Sequence, residues 1–268
     1  MKQAEYLELI QTIEAHNDRY YIQDSPVISD YEYDQLMLKL KEIESTHPEW
    51  VVDQSPTKHV GAIMKRKAGV LIAHEVPMLS LQDVFSKEEV YAFVESMKTT
   101  LHQPEFVVER KIDGLSMAIR YENGKLKQAI TRGDGVAYGE DVTENAKVIQ
   151  GMVLSFQPPS EKLEVRGEVY MTNAHFDAVN EQQEMLGKKP FANPRNCAAG
   201  TLRQLDSAIT KERKLSFFIF NLQQVKGMDF ATHTQAYEYM KSQNIRVIDN
   251  YKICQNADEV WDAICAIG

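Results

Sequence analysis

Cysteine is scarce in this chain. Cys197, Cys254 and Cys265 are the only three in 268 residues, an odd number at wide spacing. With no Cys-x-x-Cys pair, the usual structural zinc frameworks are excluded, and inert thiols in a reducing compartment are expected. Long apolar runs are missing too. No stretch approaches the ~20 apolar residues that span a bilayer. The opening Met1-Lys2-Gln3-Ala4-Glu5-Tyr6 lacks the apolar core of a signal peptide. The expectation is a cytoplasmic protein with no membrane association. Positive charge is in deficit, with 30 Lys and Arg against 39 Asp and Glu and a net charge of −9. Autonomous nucleic-acid-binding domains are usually basic, so contact with nucleic acid would need a local patch or help from elsewhere. A Walker loop, an internal repeat and low-complexity segments are absent. Gly133-x-Gly135 is followed by Tyr138 where the third glycine of a dinucleotide fingerprint belongs, and no βαβ pattern surrounds it. That excludes a Rossmann site.

What remains is an ordinary globular composition, 43% hydrophobic and 26% charged, at a length comfortable for two domains. Residues 1 to about 47 read as two helices. Leu7, Ile10, Ile13 and Asn17 follow a helical period in the first, which ends near Tyr20 and Tyr21 at Asp24-Ser25-Pro26. Ser29 with Glu32 forms a capping box for the second, which carries Tyr33, Leu36, Met37, Leu40 and Ile43 on one face. Residues 48–80, punctuated by Pro48, Ser55-Pro56-Thr57, Gly61, Gly69 and Pro77 with the basic run Lys65-Arg66-Lys67, read as a linker. A helix from Ser86 to about Leu101 follows. Strands are predicted at 106–112, 115–121, 125–131, 163–170 and 215–222, and helices near 174–186, 196–205, 233–243 and 256–266. Hairpin strands with interspersed helices indicate an α+β fold rather than a doubly wound sheet.

The most informative run is Val107-Val108-Glu109-Arg110-Lys111-Ile112-Asp113-Gly114. Asp113-Gly114 favours a tight hairpin turn, with Leu115–Tyr121 as the returning strand and a further turn at Glu122-Asn123-Gly124. An amine held in a sheet pocket can lose its proton and attack an electrophile. Alone, Lys-x-Asp-Gly is weak, since it is also ordinary hairpin chemistry. The same half of the chain adds Thr131-Arg132-Gly133-Asp134-Gly135, Arg166-Gly167-Glu168, Asn193-Pro194-Arg195-Asn196, Arg203 and the apolar strand Leu215–Phe220. Each has a bland reading: a loop, a cross-strand ion pair, a core strand. Together they offer a nucleophile (Lys111), arginines whose planar fork suits phosphate (Arg132, Arg195, Arg203), carboxylates for a metal or ribose (Asp113, Glu168) and aromatics to stack a base. That is a nucleotidyl-transfer pocket.

These motifs resemble the adenylation region of bacterial NAD⁺-dependent DNA ligases. Tyr20-Tyr21, Asp30-Tyr31-Glu32-Tyr33-Asp34, Ser55-Pro56-Thr57 and His74-Glu75-Val76-Pro77-Met78-Leu79-Ser80-Leu81 match that family too, so the resemblance covers essentially the whole chain. Lys-x-Asp-Gly is shared with ATP-dependent ligases, RNA ligases and capping enzymes. The N-terminal helical module is not, and it points to NAD⁺. The resemblance implies a small helical domain that binds the nicotinamide mononucleotide (NMN) half, residues 1–65, and a nucleotidyltransferase (ATP-grasp-like) domain of antiparallel sheets and helices, residues 66–268.

Carried over residue by residue, the resemblance makes Lys111 the adenylated nucleophile. It gives the NMN half to Tyr20, Tyr21, Asp30, Tyr31, Glu32, Tyr33 and Asp34. Ser80, Leu81, Glu109, Asp113, Gly114, Arg132 and Glu168 would surround the AMP half. Phe220 would stack on adenine, where many relatives have tyrosine. Arg195 and Arg203 would contact ribose, phosphate or the nick. Implied partners are NAD⁺, Mg²⁺ and nicked double-stranded DNA, the last held mainly by domains outside this chain, and the protein would be a monomer. The family continues with an Asp-Gly-Val-x-x-Lys strand and a later lysine motif beyond Gly268, and with further DNA-gripping domains. The chain is therefore expected to be a fragment that does not seal nicks alone. Two alternatives stand beside this: a fragment that binds NAD⁺ or NMN without turnover, and an ATP-dependent lysyl nucleotidyltransferase.

Overall fold

The computed structural model describes residues 3–19, 27–28, 30–53, 55–58, 70–133, 135–157 and 161–267, and gives only the backbone of Asp30 and Tyr31. The predicted break at Asp24-Ser25-Pro26, the Ser29 cap, Lys65-Arg66-Lys67 and Asp134 lie outside the described residues.

At the N-terminus α1 (Gln3–Asn17) packs against α2 (Asp30–Thr46). Tyr6, Leu9, Ile10 and Ile13 of α1 recur at helical spacing and are buried against Leu40 and Ile43 of α2, with Tyr33, Leu36 and Met37 packed on them. Leu7, expected on this face, is exposed, and Tyr6 fills the position instead. Its phenol brings a polar tip, which donates to Glu44 at 3.0 Å. The Ser55 and Thr57 hydroxyls donate to the same carboxylate at 2.5 Å each. Ser55-Pro56-Thr57, predicted as linker, therefore closes this small core.

The second half is built on a four-stranded antiparallel sheet in the order β4-β3-β6-β7, formed by β3 (Leu115–Glu122), β4 (Lys125–Thr131), β6 (Lys162–Tyr170) and β7 (Ser216–Val225). The β3–β4 turn has positive φ at both central residues, Asn123 (50°) and Gly124 (71°). That suits a two-residue hairpin, because such a turn matches the right-handed twist of the strands. Alternation divides the sheet. Met117, Ile119 and Tyr121 of β3, Leu163, Val165 and Val169 of β6, and Phe217 and Ile219 of β7 all belong to the main core. That face is covered by α5 (Asn173–Met185), α6 (Pro194–Leu202) and α8 (His233–Ser242), which contribute Val179, Cys197, Ala198, Leu202, Tyr237 and Met240.

A smaller layer joins α3 (Lys87–Thr100) and α9 (Ala257–Ile267) to a two-stranded sheet of β2 (Phe106–Glu109) and β8 (Tyr251–Cys254). Val90, Val94, Phe106, Cys254, Ala257, Val260 and Ala263 form its core. The helix expected from Ser86 onward is α3, and Ser86 caps it, accepting from the Glu89 amide at 3.2 Å. The short α4 (Thr143–Ala146) and α7 (Ser207–Glu212) complete the fold. No helix among the described residues is long and apolar enough to cross a membrane.

Two sequence expectations are corrected. The strand predicted at 106–112 ends at Glu109 and pairs with β8, while β3 pairs with β4 and β6, so Asp113-Gly114 is not a hairpin turn. Residues 110–114 instead carry the chain from one sheet to another. Gly114 is needed for a different reason: a Cβ there would lie 2.2 Å from the Val169 carbonyl oxygen and 3.0 Å from Glu168 Cγ. Residues 71–80, predicted as linker, contain β1 (Leu71–Ala73), which pairs antiparallel with β5 (Tyr138–Glu140).

Candidate functional site

Opposite the apolar core, the alternation of β3 and β6 presents polar side chains. The register between these strands is unbroken and sets Ser116 opposite Glu168, Ala118 opposite Arg166 and Arg120 opposite Glu164. Residues at i, i+2 and i+4 of a strand share a face, so Glu164, Arg166 and Glu168 form one row and Ser116 and Arg120 border it. Arg120, Glu164 and Arg166 are buried, and charges so placed require partners. Arg120 Nε donates to Glu164 at 2.8 Å, and Arg166 lies 3.6 Å from the same carboxylate.

Other donors of these arginines reach the end of β1 and the segment after it, while Arg120 also donates to Gln128 at 3.2 Å. Arg120 donates to the Ala73 carbonyl at 3.0 Å, and Arg166 donates to Val76 at 2.7 Å and Pro77 at 2.9 Å. Arg132, just past β4, donates to the Met78 carbonyl at 3.1 Å and to Ser80 Oγ at 2.7 Å. The amides of His74 and Met78 donate to Ala137 and Gly135 at 2.9 and 2.7 Å, and Lys162 pairs with Glu75. Residues 73–80 are thus a strap stapled across the polar face by arginines of the sheet. Gly135, at φ 75°, sits where a Cβ would approach Met78 O and the Arg132 guanidinium at 3.1 Å. The structure brings Arg132 and Ser80 together, and Leu81 beyond them is largely exposed. The roles of Arg120, Glu164 and Arg166 were missed in the sequence, although Glu-x-Arg-x-Glu in a strand signals a charged, one-sided row.

Lys111 is exposed on the crossing segment 110–114 and makes no hydrogen bond or ion pair among the described residues. Nearby, Arg195 at the start of α6 donates to Asp113 Oδ1 at 2.9 Å. Asn193 caps that helix, accepting from the Asn196 amide at 2.8 Å, with Pro194 in its first turn. Glu168 accepts from Ser116 Oγ at 2.7 Å. Burial pushes the Glu168 carboxyl above the usual carboxylate range, while the Ser116 hydroxyl and the positive charges of Arg195 and Lys111 act against that shift. Lys111, Asp113, Gly114, Glu168 and Arg195 therefore form one cluster, close enough for their charges to interact.

Glu109, the last residue of β2, accepts from the Tyr237 phenol at 2.8 Å, and the same hydroxyl donates to the Phe220 carbonyl at 3.0 Å. Burial pushes Glu109 upward, against the Tyr237 hydrogen bond and the neighbouring His233. Phe220 lies on a β-bulge. Arg166 pairs with Asn221 and Gly167 with Ile219, leaving Phe220 without an opposite residue in β6. A bulge re-aims a side chain and releases its backbone from the ladder. Gly167 permits the close approach, since a Cβ there would lie 2.1 Å from the Phe218 carbonyl oxygen.

Arg203 forms an ion pair with Glu140 at 3.1 Å, on the β5 side of the fold. In the helical unit the Tyr33 hydroxyl donates to Asn17 at 2.7 Å, while Glu32 and Asp34 on α2 are exposed. Tyr20 and Tyr21 lie outside the described residues, as do the side chains of Asp30 and Tyr31.

Residues 69–267 match the family model of the NAD-dependent DNA ligase adenylation domain, and residues 1–61 match that of the DNA ligase-like, N-terminal NAD⁺-binding domain. The chain is similar to a DNA ligase of Clostridium kluyveri, with 52% identity over 260 residues, covering 97% of this chain and 39% of that protein. Similar proteins include DNA ligases of Acetivibrio thermocellus (43% identity, 98% of this chain and 39% of the relative) and Clostridioides difficile (44%, 96% and 38%). The chain thus spans about two-fifths of the length of these relatives.

Proposed function

The chain belongs to the NAD-dependent DNA ligase adenylation family, and from that premise we propose that Lys111 is the nucleophile that takes AMP from NAD⁺. The observation that carries this reading is an exposed lysine amine beside a half-buried carboxylate, Glu168, and the Arg195–Asp113 pair. The Lys111 Nζ lone pair attacks the α-phosphorus of NAD⁺. A phosphoramidate N–P bond forms and the bond to the bridging oxygen breaks. NMN leaves with that oxygen, and the amine proton passes to solvent. Arg195 and Arg132 supply planar cationic donors for the phosphate charge. Glu109 and Phe220 flank the base, with Ser80 and Leu81 at the end of the strap above. Tyr33 and Asp34, with Tyr20, Tyr21, Asp30, Tyr31 and Glu32, hold the NMN half.

Mg²⁺ fits this donor set. It is commonly held by one or two carboxylates together with substrate phosphates, and Glu168 is a half-buried carboxylate on the polar face while Asp113 is engaged by Arg195. When bound, the ion neutralises charge on the pyrophosphate.

We assign residues 1–65 to the helical NMN-binding unit and 66–268 to the nucleotidyltransferase unit. The matched ranges 1–61 and 69–267 support this division. In the whole protein the AMP would pass to the 5′-phosphate of a nick, and the 3′-hydroxyl would displace it to seal nicked double-stranded DNA in replication and repair. We take the protein to be a cytoplasmic monomer. The match of residues 1–61 to an NAD⁺-binding domain favours NAD⁺ over ATP.

Intact mass after incubation with NAD⁺ and Mg²⁺, with ATP in parallel, tests the reading. One AMP (about 329 Da, the adduct that lysyl attack predicts) is expected with NAD⁺ only, and none in Lys111→Ala. An adduct that persists in Lys111→Ala refutes the nucleophile.

A further inference from the structure

Tyr237 is a fully buried residue of α8 whose hydroxyl joins two sheets. One of its acceptors, Glu109 Oε2 at 2.8 Å, belongs to the β2–β8 sheet. The other, the Phe220 carbonyl at 3.0 Å, belongs to the four-stranded sheet. The single phenol proton is shared between these two acceptors, so Glu109 and Phe220 are joined through one oxygen. The Phe220 carbonyl can accept because its residue is bulged out of register with β6. The phenol ring packs against two others, 4.2 Å from His233 and 5.7 Å from Tyr251 between ring centroids. Tyr251 itself stands opposite Glu109 in the β2–β8 register, and His233 Nε2 lies 3.9 Å from the Glu109 carboxylate. The core needs only the ring, since a phenylalanine would pack there equally well. The hydroxyl is buried with two acceptors in geometry, and neither sheet supplies that link by its own ladder.

We propose that Tyr237 is a positioning residue that locks the Glu109 carboxylate in register with the bulged Phe220 and thereby sets base selectivity at the site. This rests on the reading above that Glu109 and Phe220 flank the adenylate base. A stacked adenine presents an amino donor at its 6-position, and a fixed carboxylate accepts from it. A 6-oxopurine presents an acceptor there and moves its donor to the adjacent ring nitrogen. A carboxylate free to swing can follow that donor, whereas one held by Tyr237 cannot. The lock therefore discriminates by geometry, and losing it relaxes the choice of base more than it weakens stacking.

The test measures AMP and IMP affinities of the whole chain by calorimetry, for the wild type, Tyr237→Phe, Glu109→Ala and the double variant. Wild type should prefer AMP. Tyr237→Phe should narrow the AMP:IMP ratio about tenfold, the size of one hydrogen bond to a charged acceptor, with NMN affinity unchanged. Glu109→Ala should narrow the ratio at least as far, and adding Tyr237→Phe to it should change nothing more. A ratio kept in Tyr237→Phe, with AMP still bound, overturns the inference and leaves the reading of the site intact. A ratio kept in Glu109→Ala overturns it even if Tyr237→Phe does not fold. Wild type that binds neither AMP nor NAD⁺ overturns the reading of the pocket, and the inference with it.

Discussion

Arg166→Met should release the strap without unfolding the sheet. Methionine keeps the aliphatic stem that packs in the sheet and removes a guanidinium that is buried on the polar face. Two charged-donor hydrogen bonds disappear, to Val76 at 2.7 Å and Pro77 at 2.9 Å. At about 1.5–3 kcal/mol each they amount to roughly 3–6 kcal/mol of local stability. Glu164, almost wholly buried, keeps Arg120 at 2.8 Å, so the variant does not strand an unpaired charge. The cost should therefore stay local. Each 1.4 kcal/mol is a factor of ten, so exchange of strap amides should accelerate by about 10²–10⁴. The reporters are the amides of His74 and Met78, whose acceptors are Ala137 and Gly135. Hydrogen exchange read by mass spectrometry or NMR should show these amides opening faster while Ile119 and Val165 in the sheet keep their protection. Equal acceleration everywhere would mean Arg166 is a global stability residue. No acceleration at His74 and Met78 would refute the staple.

Three further outcomes follow from the same geometry. Gly114→Ala sets a Cβ 2.2 Å from a backbone oxygen that cannot yield, so it should destabilise by about 1–3 kcal/mol or more in denaturant titration and weaken AMP binding; a neutral effect would show that segment 110–114 moves freely. Asp34→Ala should weaken NMN binding and spare AMP, as read by calorimetry, and equal loss of both would contradict a divided pocket. Glu168→Gln tests the half-buried carboxyl. Because burial raises its folded pKa, Glu168 favours folding below the ordinary value of about 4.3 and loses that contribution as pH rises through the folded value. Urea midpoints should therefore shift in favour of the Gln variant between pH 4 and pH 7, and a pH-independent difference would refute the shift.

The elements that sequence made legible are those whose burial follows a simple period. The α2 face of Tyr33, Leu36, Met37, Leu40 and Ile43 packs as its spacing demands, and the strands from 115 to 131 run as their alternation predicts. Asn123-Gly124 names its own turn through positive φ. Asp113-Gly114 looked the same and was not. Its glycine answers to the Val169 carbonyl oxygen across the sheet, a contact 55 residues away that no local pattern encodes. Segment 71–80 failed similarly. Pro77 and the loop-like composition were read correctly as irregular backbone, yet irregular backbone needs donors when it crosses a protein face, and those donors come from arginines in three other places.

The candidate site has the same division. Its chemistry was visible, because lysine, arginine and carboxylate in short motifs announce themselves. Its architecture was not, because the motifs leave out the buried residues that position the backbone. Arg166 was noticed beside Glu168, but its work is on the strap, and Tyr237 was read as nothing more than part of a helix. Both are polar groups buried where an apolar residue would satisfy the local pattern. Burying a guanidinium or a phenol hydroxyl costs free energy that hydrogen bonds must offset, and here the acceptors are backbone carbonyls of the strap and the bulge, together with the Glu109 carboxylate. What these residues hold still is therefore backbone and a site carboxylate, not core. A site assembled from a strap, a bulge and a crossing segment has little ladder pairing of its own, and its geometry rests on the few buried donors that reach it. That concentrates sensitivity: substitutions at Arg120, Arg166 and Tyr237 should disturb ligand selectivity more than their distance from Lys111 would suggest, while Leu163 or Val165 variants should disturb stability and leave selectivity alone.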